Sequence, residues 1–357
     1  HLLIDISAHG FGHLAQTAPV IRALRAQLPH LRLTIRSALP RLQLEHYLTG
    51  HFEHECDAQD FGFAMHNSVD IDFESSARAY KDLHQHWQKR IDVEAAWIKV
   101  RKFTAVITNV AYLPLAAAER AGVPSASLSS INWADLFIHY FAAEPWAAKI
   151  HAEILAAYRS AHCFLRVSPG LPMTDLNRRH DIGPIARLGT RDKGALARRL
   201  NIVEDNRHVL LAMGGFDFRL PVESWARVPG IDWIVPAAWQ VRHKDAYGID
   251  PSGINFADLL ASADAIITKP GYGTFVEAAC NAIPILYLQR DDWPETRYLS
   301  AWLGSHARAC AVSRDHLMKG NFIDELEQLW STQPPATPLA TGAEEAAALL
   351  QTVLRLH

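Results

Sequence analysis

Residues 264–288 read DAIITKPGYGTFVEAACNAIPILYL, and this stretch indicates a strand, a glycine-rich turn, a helix and a second strand in succession. The first strand is the apolar run 265–268, and the second is 285–288. The turn between them, 269–273, contains a proline and two glycines, and a helix is predicted to start near Thr274. A unit of this kind is typical of a parallel sheet covered by helices.

The turn has the features of an anion-binding site. Gly271 and Gly273 let the backbone approach a ligand closely, and the N–H groups of Tyr272 and its neighbours at a helix start favour a negative charge. Thr274 adds a hydroxyl donor. Glu277 is predicted in the first turn of the helix, where its carboxylate could hold a ribose diol. The sequence therefore predicts a nucleotide site here.

A purely structural interpretation of the same stretch stays open. Glycine also permits close packing of a helix on a strand, and Glu277 would then only complement the helix dipole. Lys269, which precedes the turn, could reach a phosphate or could face solvent.

Two further glycine turns follow apolar strands. The chain opens with the strand LLIDIS and the turn AHGFGH at 8–13, which ends in Gly12 and His13. Near the middle, the strand HVLLAM ends in Gly214 and Gly215. Ligands of open α/β sheets bind beyond the carboxyl ends of the strands, where all three turns are predicted. Two halves that each begin in this way indicate two similar domains.

We predict an α/β fold in which two Rossmann-like, parallel-sheet domains face one another across a cleft. The 357 residues exceed the usual size of one domain, and strand and helix patterns alternate nearly throughout. The N-terminal domain is placed at 1–182 and a linker at 183–190. The C-terminal domain, which contains the predicted nucleotide site, is placed at 191–357. Its last helix, 344–354, could pack back on the N-terminal domain.

The individual elements follow from hydrophobic periodicity. Strands are predicted at 2–6, 31–36, 105–108, 125–128 and 163–167, and then at 208–213, 233–235, 265–268, 285–288 and 309–312. Helices are predicted at 14–28, 75–101, 113–121 and 147–160. His84 and His86 lie in the polar part of the longest helix, and we expect both to be exposed to solvent.

Composition narrows the classes of function. Hydrophobic residues make up 49% and charged residues 20% of the chain, which is ordinary for a soluble enzyme. A formal net charge of -3 gives no broad basic surface and argues against nucleic acid as the main partner. Four cysteines without a C-x-x-C pair suit a reducing, cytoplasmic location. No apolar run has the length of a membrane span, although peripheral contact with a membrane stays open.

Several common motifs are absent or incomplete. Residues 8–15 match G-x-G-x-x-A, but the next strand ends in Arg36 and Ser37 instead of the acidic residue that a dinucleotide site requires. No P-loop motif and no H-E-x-x-H occurs, and the nineteen histidines show no metal-ligand spacing. We therefore expect neither a metal site nor a cofactor.

His13 is the main candidate for a catalytic base. A neutral imidazole at the start of a helix can take a proton from an acceptor hydroxyl, and the positive end of the helix tends to keep it neutral. The alternative is a histidine that only bonds backbone. Asp135, in SSINWADLF, is a second candidate, either to orient a histidine or to contact a sugar. A simple negative charge in the first turn of a helix explains Asp135 equally well.

These residues resemble GT-B glycosyltransferases, including the inverting lipid-linked N-acetylglucosaminyltransferases of peptidoglycan synthesis. The resemblance covers both halves and the linker. It implies that Gly214 and Gly215 approach the donor diphosphate, that Thr274 contacts a phosphate and that Glu277 binds the ribose. The motifs AHGFGH, INWAD and KPGYGT also look like the transferase-like N-terminal part of plant arabinose kinases.

The resemblance also implies less specific contacts. The backbone near Phe256 would contact the base, and Asp291 and Asp292 would contact the donor sugar. The loop here reads QRDDWPETRY in place of the paired glutamines of the peptidoglycan enzymes, so the identity of the sugar does not carry over.

The function that the resemblance implies is transfer of a sugar from a nucleotide-sugar, such as a UDP-sugar, to an acceptor hydroxyl. The reaction would invert the anomeric centre, require no metal and use the nucleotide-sugar as substrate, with no cofactor. A nucleotide-sugar hydrolase, an epimerase and a non-catalytic nucleotide-sugar-binding protein are compatible with the same fold. The acceptor is not indicated.

Overall fold

The computed structural model describes residues 1–67, 69–214, 218–250 and 254–356. The chain divides into two compact units. Unit 1 comprises His1–His66, Asp70–Ile185 and Thr341–His357, and unit 2 comprises Asn67–Val69 and Ala186–Ala340. Each unit contains one sheet whose neighbouring strands are all parallel, with α-helices between most of the successive strands. The predicted fold class, two Rossmann-like parallel-sheet domains, is therefore confirmed at the level of each unit.

In the described part of unit 1, the sheet has seven strands. They are β1 (Leu2–Ile6), β2 (Leu33–Arg36), β3 (Glu53–Glu55), β4 (Ala105–Asn109), β5 (Ser125–Ser129), β6 (Cys163–Val167) and β7 (Arg179–Ile182). Their order across the sheet is β3-β2-β1-β4-β5-β6-β7. Because β1 pairs with both β2 and β4, the strand order reverses beside β1. The carboxyl ends of β1 and β4 therefore form the switch point at which ligands of such sheets bind.

The helices of unit 1 cover this sheet. They are α1 (Gly12–Gln27), α2 (Arg41–Tyr47), α3 (Phe73–Gln85), α4 (Trp87–Arg101), α5 (Leu113–Ala121), α6 (Trp133–Phe141) and α7 (Ala147–Ser160). Strands β1 and β4 are buried along their whole length, as expected for apolar runs covered on both faces. They fix the position of every loop at the carboxyl edge of the sheet.

In unit 2, the described strands form a six-stranded sheet in the order β10-β9-β8-β11-β12-β13. The strands are β8 (Arg207–Ala212), β9 (Ile231–Pro236), β10 (Ala246–Ile249), β11 (Ala265–Thr268), β12 (Ile285–Leu288) and β13 (Ala309–Val312). The helices are α8 (Lys193–Leu200), α9 (Phe256–Ser262), α10 (Tyr272–Cys280), α11 (Thr296–His306), α12 (Arg314–Lys319) and α13 (Ile323–Ser331). Here the strand order reverses between β8 and β11, which places the second switch point at their carboxyl ends.

The last helix, α14 (Gly342–Leu354), belongs to unit 1 and packs on α1. Its apolar face is buried, including Ala346, Ala347 and Leu350. The carboxylate of Glu345 accepts a hydrogen bond from the Gly183 N–H at 2.7 Å. The C-terminal segment thus returns to the unit in which the chain begins. No helix in the described part of the chain is both long and apolar enough to span a membrane.

The prediction of a single helix over 75–101 is wrong. The chain forms two helices, α3 and α4, that meet at His86, whose backbone is not helical. The expectation that His84 is exposed is also wrong, because this side chain is 4% exposed. Its ring bonds the Glu153 carboxylate at 2.7 Å and the Tyr112 hydroxyl at 2.8 Å. His86 is exposed as predicted.

Gly320 provides a test of packing in unit 2. It has a φ of +75°, and an added Cβ would lie 2.7 Å from the Trp225 ring, which packs edge-on against Phe322. Gly230 has a similar φ of +81°, but a Cβ added there would meet no described atom within 4 Å. We expect Gly230→Ala to lower the free energy of unfolding by roughly 1–2 kcal/mol, because of backbone strain. Gly320→Ala should lower it by roughly 1–3 kcal/mol more, because the added Cβ also overpacks the core. Thermal melts of both variants measure the difference, and equal melting temperatures would contradict this packing.

Candidate functional site

His13 lies at the switch point of unit 1, as the second residue of α1. The turn after β1 leads directly into this helix, so the imidazole is placed beside the end of β4. Its Nδ1 is 2.7 Å from Oδ1 of Asn109, the last residue of β4. The side chain is 6% exposed, and its ring lies 5.8 Å from the Trp133 ring between centroids. The histidine is therefore held rigidly by neighbouring elements of one sheet edge.

The hydrogen bonds of Asn109 determine which nitrogen of His13 carries the proton. The Asn109 amide Nδ2 faces two acceptors, the His13 carbonyl and the Gln16 Oε1, both at 3.3 Å. Its Oδ1 must then face His13, and a carbonyl oxygen can only accept. The proton of the neutral ring accordingly sits on Nδ1, and Nε2 keeps its lone pair. This is the tautomer that a general base requires.

Burial keeps His13 neutral. Removal of the ring from water lowers the pKa of His13 to about 4, and the hydrogen bond to Asn109 opposes this only in part. At neutral pH the imidazole is therefore unprotonated. Asn109 is neutral, so it orients the ring without the larger rise in the His13 pKa that a neighbouring carboxylate would cause.

A half-buried carboxyl, Asp60, lies at the same edge of the sheet. Its Oδ2 accepts a hydrogen bond from the Trp133 indole at 2.6 Å, and Ser7 bonds it as well. Burial, reinforced by the Asp5 carboxylate, raises the pKa of Asp60 to about 7. A carboxyl with this pKa can donate or accept a proton near neutrality. No periodicity or motif in the sequence marks Asp60.

The structure does not bring Asp135 to His13. Asp135 is in the first turn of α6, and its N–H donates to the Asn132 side chain at 2.8 Å. Burial raises the pKa of Asp135, and the nearest charged groups that affect it are Asp175 and His151. The residue that orients His13 is Asn109, which ends β4. Asp135 as a sugar contact stays a prediction.

In unit 2, the turns after β8 and β11 meet at the second switch point. Gly214 has a φ of +89°, and a Cβ at this position would lie 2.9 Å from the Lys269 side chain. An added Cβ on Gly271 would lie 3.8 Å from the Lys269 Nζ. The two glycines therefore leave room for the ammonium group between the turns. Gly215 lies outside the residues that the structure describes.

Lys269 is held there as a half-buried cation. Burial, together with the neighbouring Arg290, lowers the pKa of Lys269 to about 8, whereas Glu295 acts in the opposite direction. Within the described residues Lys269 forms no ion pair. The buried Nη2 of Arg290 has no hydrogen-bond partner in the same part of the chain. Two cations that are close together and incompletely neutralised favour a bound anion.

The start of α10 adds donors to this site. The first intrahelical bond runs from the Phe275 N–H to the Gly271 carbonyl, so the N–H groups of Gly273 and Thr274 precede the helical ladder. The first turn of α10 contains no acidic residue, and the Thr274 side chain is half-buried. Tyr272 is the first helical residue and is buried. The helix thus presents its positive end where Lys269 and Arg290 lie.

Glu277 is in the second turn of α10, so its predicted place in the first turn is wrong. The reason is that the helix begins at Tyr272, two residues earlier than predicted. The carboxylate is 4% exposed and accepts a hydrogen bond from the Arg187 Nε at 2.8 Å. Burial raises the pKa of Glu277, and Arg187 opposes that rise. Glu277 as a ribose contact stays a prediction.

The remaining predicted contacts lie in loops of unit 2. Phe256 is the first residue of α9, and the side chain of the preceding Asn255 caps that helix. A contact of this backbone with the base stays a prediction. Asp291 and Asp292 are both exposed. Asp291 accepts a hydrogen bond from Gln289 at 2.8 Å, and Asp292 accepts one from Arg290 at 3.0 Å. Among the described residues, no group of three His, Cys, Asp or Glu side chains is placed to hold a metal ion.

With this geometry described, comparisons with solved structures define the class of fold. The glycotransferase of kitacinnamycin matches with a TM-score of 0.63 and 15% identity over 99% of this chain and 94% of its own. A UDP-glucosyltransferase from Polygonum tinctorium capable of glucosylating indoxyl matches with a TM-score of 0.61 and 13% identity, over 100% and 99%. Spinosyn rhamnosyltransferase complexed with thymidine diphosphate matches with a TM-score of 0.55 and 16% identity, over 99% and 96%. The chain has the fold of GT-B glycosyltransferases, as the sequence resemblance implied.

A curated relative is more similar in sequence. L-arabinokinase from Arabidopsis thaliana is 25% identical over 97% of this chain, which confirms the predicted resemblance to plant arabinose kinases. The chain spans about a third of that protein, 34% of its length. No family model matches the sequence.

The assignment of the His13 tautomer generates a prediction. Replacement of Asn109 by aspartate places a negative charge against Nδ1, which should raise the histidine pKa from about 4. NMR titration of the ring protons, assigned by their loss in His13→Gln, measures both values. A wild-type His13 that titrates near 6.5, or an unchanged pKa in Asn109→Asp, would contradict the buried, neutral imidazole.

The Lys269 site generates a second prediction. A bound diphosphate should raise the Lys269 pKa from about 8, so binding at pH 8.5 should take up roughly half a proton or more. Calorimetric titration with UDP or TDP in buffers of different ionisation enthalpy measures this uptake, because the diphosphate is fully ionised at that pH. Lys269→Met should abolish it. An enthalpy that is independent of the buffer would show that the ligand does not contact Lys269.

Proposed function

We propose that this protein is an inverting glycosyltransferase that moves a sugar from a nucleoside-diphosphate sugar to an acceptor hydroxyl. Unit 2 would bind the nucleotide part of the donor, and unit 1 would supply the base. The fold supports this proposal, and solved structures with that fold include one complexed with thymidine diphosphate. The curated relative is named as a sugar kinase, which supports a carbohydrate substrate here.

The observation that carries the proposal is the pair of cations at the second switch point. Lys269 and Arg290 lie together, and the uncapped start of α10 adds backbone donors. Departure of a nucleoside diphosphate develops negative charge on its terminal phosphate. Preorganised donors and cations around that charge stabilise the transition state because they need no rearrangement during the reaction.

His13 would act as the general base. The lone pair on Nε2 takes the proton of the acceptor hydroxyl while its oxygen attacks the anomeric carbon in line with the leaving diphosphate. The bond from the anomeric carbon to the phosphate oxygen breaks in the same step, which inverts the anomeric centre. Asn109 keeps the accepting nitrogen in place and stabilises the imidazolium by accepting its Nδ1 proton in a hydrogen bond.

We further propose that transfer does not require a metal ion. Lys269, Arg290 and the helix start together offset the charge that a divalent cation would otherwise offset. Asp291 and Asp292, an adjacent carboxylate pair in the loop after β12, are already bonded by Gln289 and Arg290.

The experiment that tests the reaction type is incubation with a panel of UDP- and TDP-sugars, with and without an added sugar acceptor. A transferase should release nucleoside diphosphate rapidly only when the acceptor is present, and the product should have the opposite anomeric configuration by NMR. Equal release without acceptor would identify a hydrolase, and an altered donor sugar would identify an epimerase. Saturable binding without turnover would identify a binding protein.

His13→Ala tests the base. We expect the maximal single-turnover rate to fall by roughly 10²–10⁴-fold while the donor binds almost as tightly as before. His30→Ala, at an exposed histidine of unit 1, is the matched control and should keep the rate within a few-fold. A folded, donor-binding His13→Ala protein with a normal single-turnover rate would remove His13 from the mechanism.

Chelation tests the proposed independence from metal. We expect turnover to persist in excess EDTA, because cationic side chains and the start of α10 hold the diphosphate. The same preparation with added magnesium or manganese is the comparison. Complete loss of turnover in EDTA that either ion restores would contradict the proposal.

A further inference from the structure

We infer that a pocket in unit 1, separate from the two switch points, binds a neutral sugar as the acceptor. The inference deepens the proposed function, on which its acceptor role rests. The pocket has a volume of about 500 Å³, within the ~300–1,000 Å³ range typical of small-molecule sites. It lies beyond the carboxyl ends of β2 and β3 and beside the first half of α4.

The floor of the pocket is a buried ion-pair network. Arg36, which ends β2 and is 2% exposed, bonds Asp5 through Nε at 2.5 Å. Its Nη2 forms an ion pair with the Glu94 carboxylate at 2.6 Å. The guanidinium carbon is 4.7 Å from the Trp97 ring centroid. The pocket therefore has a charged floor that is held in place by buried ion pairs.

The signs of the lining charges select the class of ligand. Three basic residues and three acidic residues line the pocket, namely Arg36, Lys89, Arg90, Glu55, Asp57 and Glu94. A phosphate would meet three carboxylates, and an apolar ligand would remove charged groups from water without replacing their hydrogen bonds. A sugar hydroxyl donates to a carboxylate and accepts from a guanidinium at once. Neighbouring hydroxyls can thus satisfy both kinds of group.

Two further features suit a sugar ring. Gln59 lines the pocket and supplies both a donor and an acceptor, and its amide already bonds the Asp57 carboxylate at 2.6 Å. Trp97, Val93 and Leu113 supply apolar surface for the C–H groups of the ring. The mixture of charged, amide and apolar groups fits a polyhydroxylated molecule better than an apolar aglycone.

The pocket is connected to the proposed base through unit 1 itself. Gln59 is followed by Asp60, whose carboxylate bonds the Trp133 indole and Ser7. The Trp133 ring in turn contacts the His13 ring. These contacts all lie along the carboxyl edge of the unit 1 sheet, so the pocket and the proposed base share one edge of that sheet.

Binding of sugars to the full chain, in the absence of any nucleotide, tests the inference. The probes are L-arabinose, D-galactose and N-acetyl-D-glucosamine, with inorganic phosphate at equal concentration, measured by saturation-transfer NMR and calorimetry. We expect at least one sugar to bind saturably. Asp57→Asn and Arg90→Gln should each weaken that binding at least tenfold. Arg78→Gln, an exposed change on α3 whose partner is Glu74, is the control and should change it less than twofold.

Three results would overturn the inference: no sugar binds, only phosphate binds, or the sugar binds equally to both pocket variants. UDP and TDP titrations of the same proteins separate this inference from the proposed function. Nucleotide binding without sugar binding would refute the pocket alone. Sugar binding that depends on Asp57 and Arg90, without nucleotide binding, would refute the transferase and support the pocket as a sugar site.

Discussion

The reversal of strand order beside the first strand of each sheet is the constraint on which the rest of the structure depends. A reversed order sends the loops after two neighbouring strands in opposite directions and opens a crevice between them. In unit 1 this places Asn109 against His13, and in unit 2 it places Gly214 against Lys269. Each of the two chemical groups is therefore positioned by the topology of one sheet.

Removal from water shifts the pKa values of the two groups at these positions, His13 and Lys269. The same effect, removal of a charged form from water, keeps His13 neutral and lowers the pKa of Lys269. A neutral imidazole can take a proton, whereas a cation that is costly to bury is stabilised by an anionic ligand. In the proposed reaction, unit 1 would remove the proton and unit 2 would stabilise the charge of the leaving group.

The sequence predicted the buried strands well because burial leaves a strong signal. Three predicted strands of unit 2, at 265–268, 285–288 and 309–312, have the observed bounds. The strands that were missed, β3, β7 and β10, are polar or mixed segments at sheet edges. An edge strand is covered on fewer sides and needs no continuous apolar run, so its pattern is weak.

The candidate site was predicted only in part for a related reason. The glycine turns are local signals, and they lie at the ends of strands as expected. Asn109, Arg187 and Arg290 act through contacts that depend on the fold: Asn109 meets a histidine 96 positions away, and Arg187 meets a glutamate 90 positions away. Asp60 lies in an irregular segment, and its role depends on Trp133. Pattern and spacing carry no information about such pairs.

The central claim is that a nucleoside diphosphate binds at the turns after β8 and β11. Hydrogen–deuterium exchange of the whole chain with and without saturating UDP or TDP tests it most directly, because bound phosphate should protect backbone N–H groups at the start of α10. The account predicts slower exchange in peptides that cover 269–277, and no such change in peptides that cover α4. Protection confined to unit 1, or the absence of protection at concentrations that saturate binding, would contradict it.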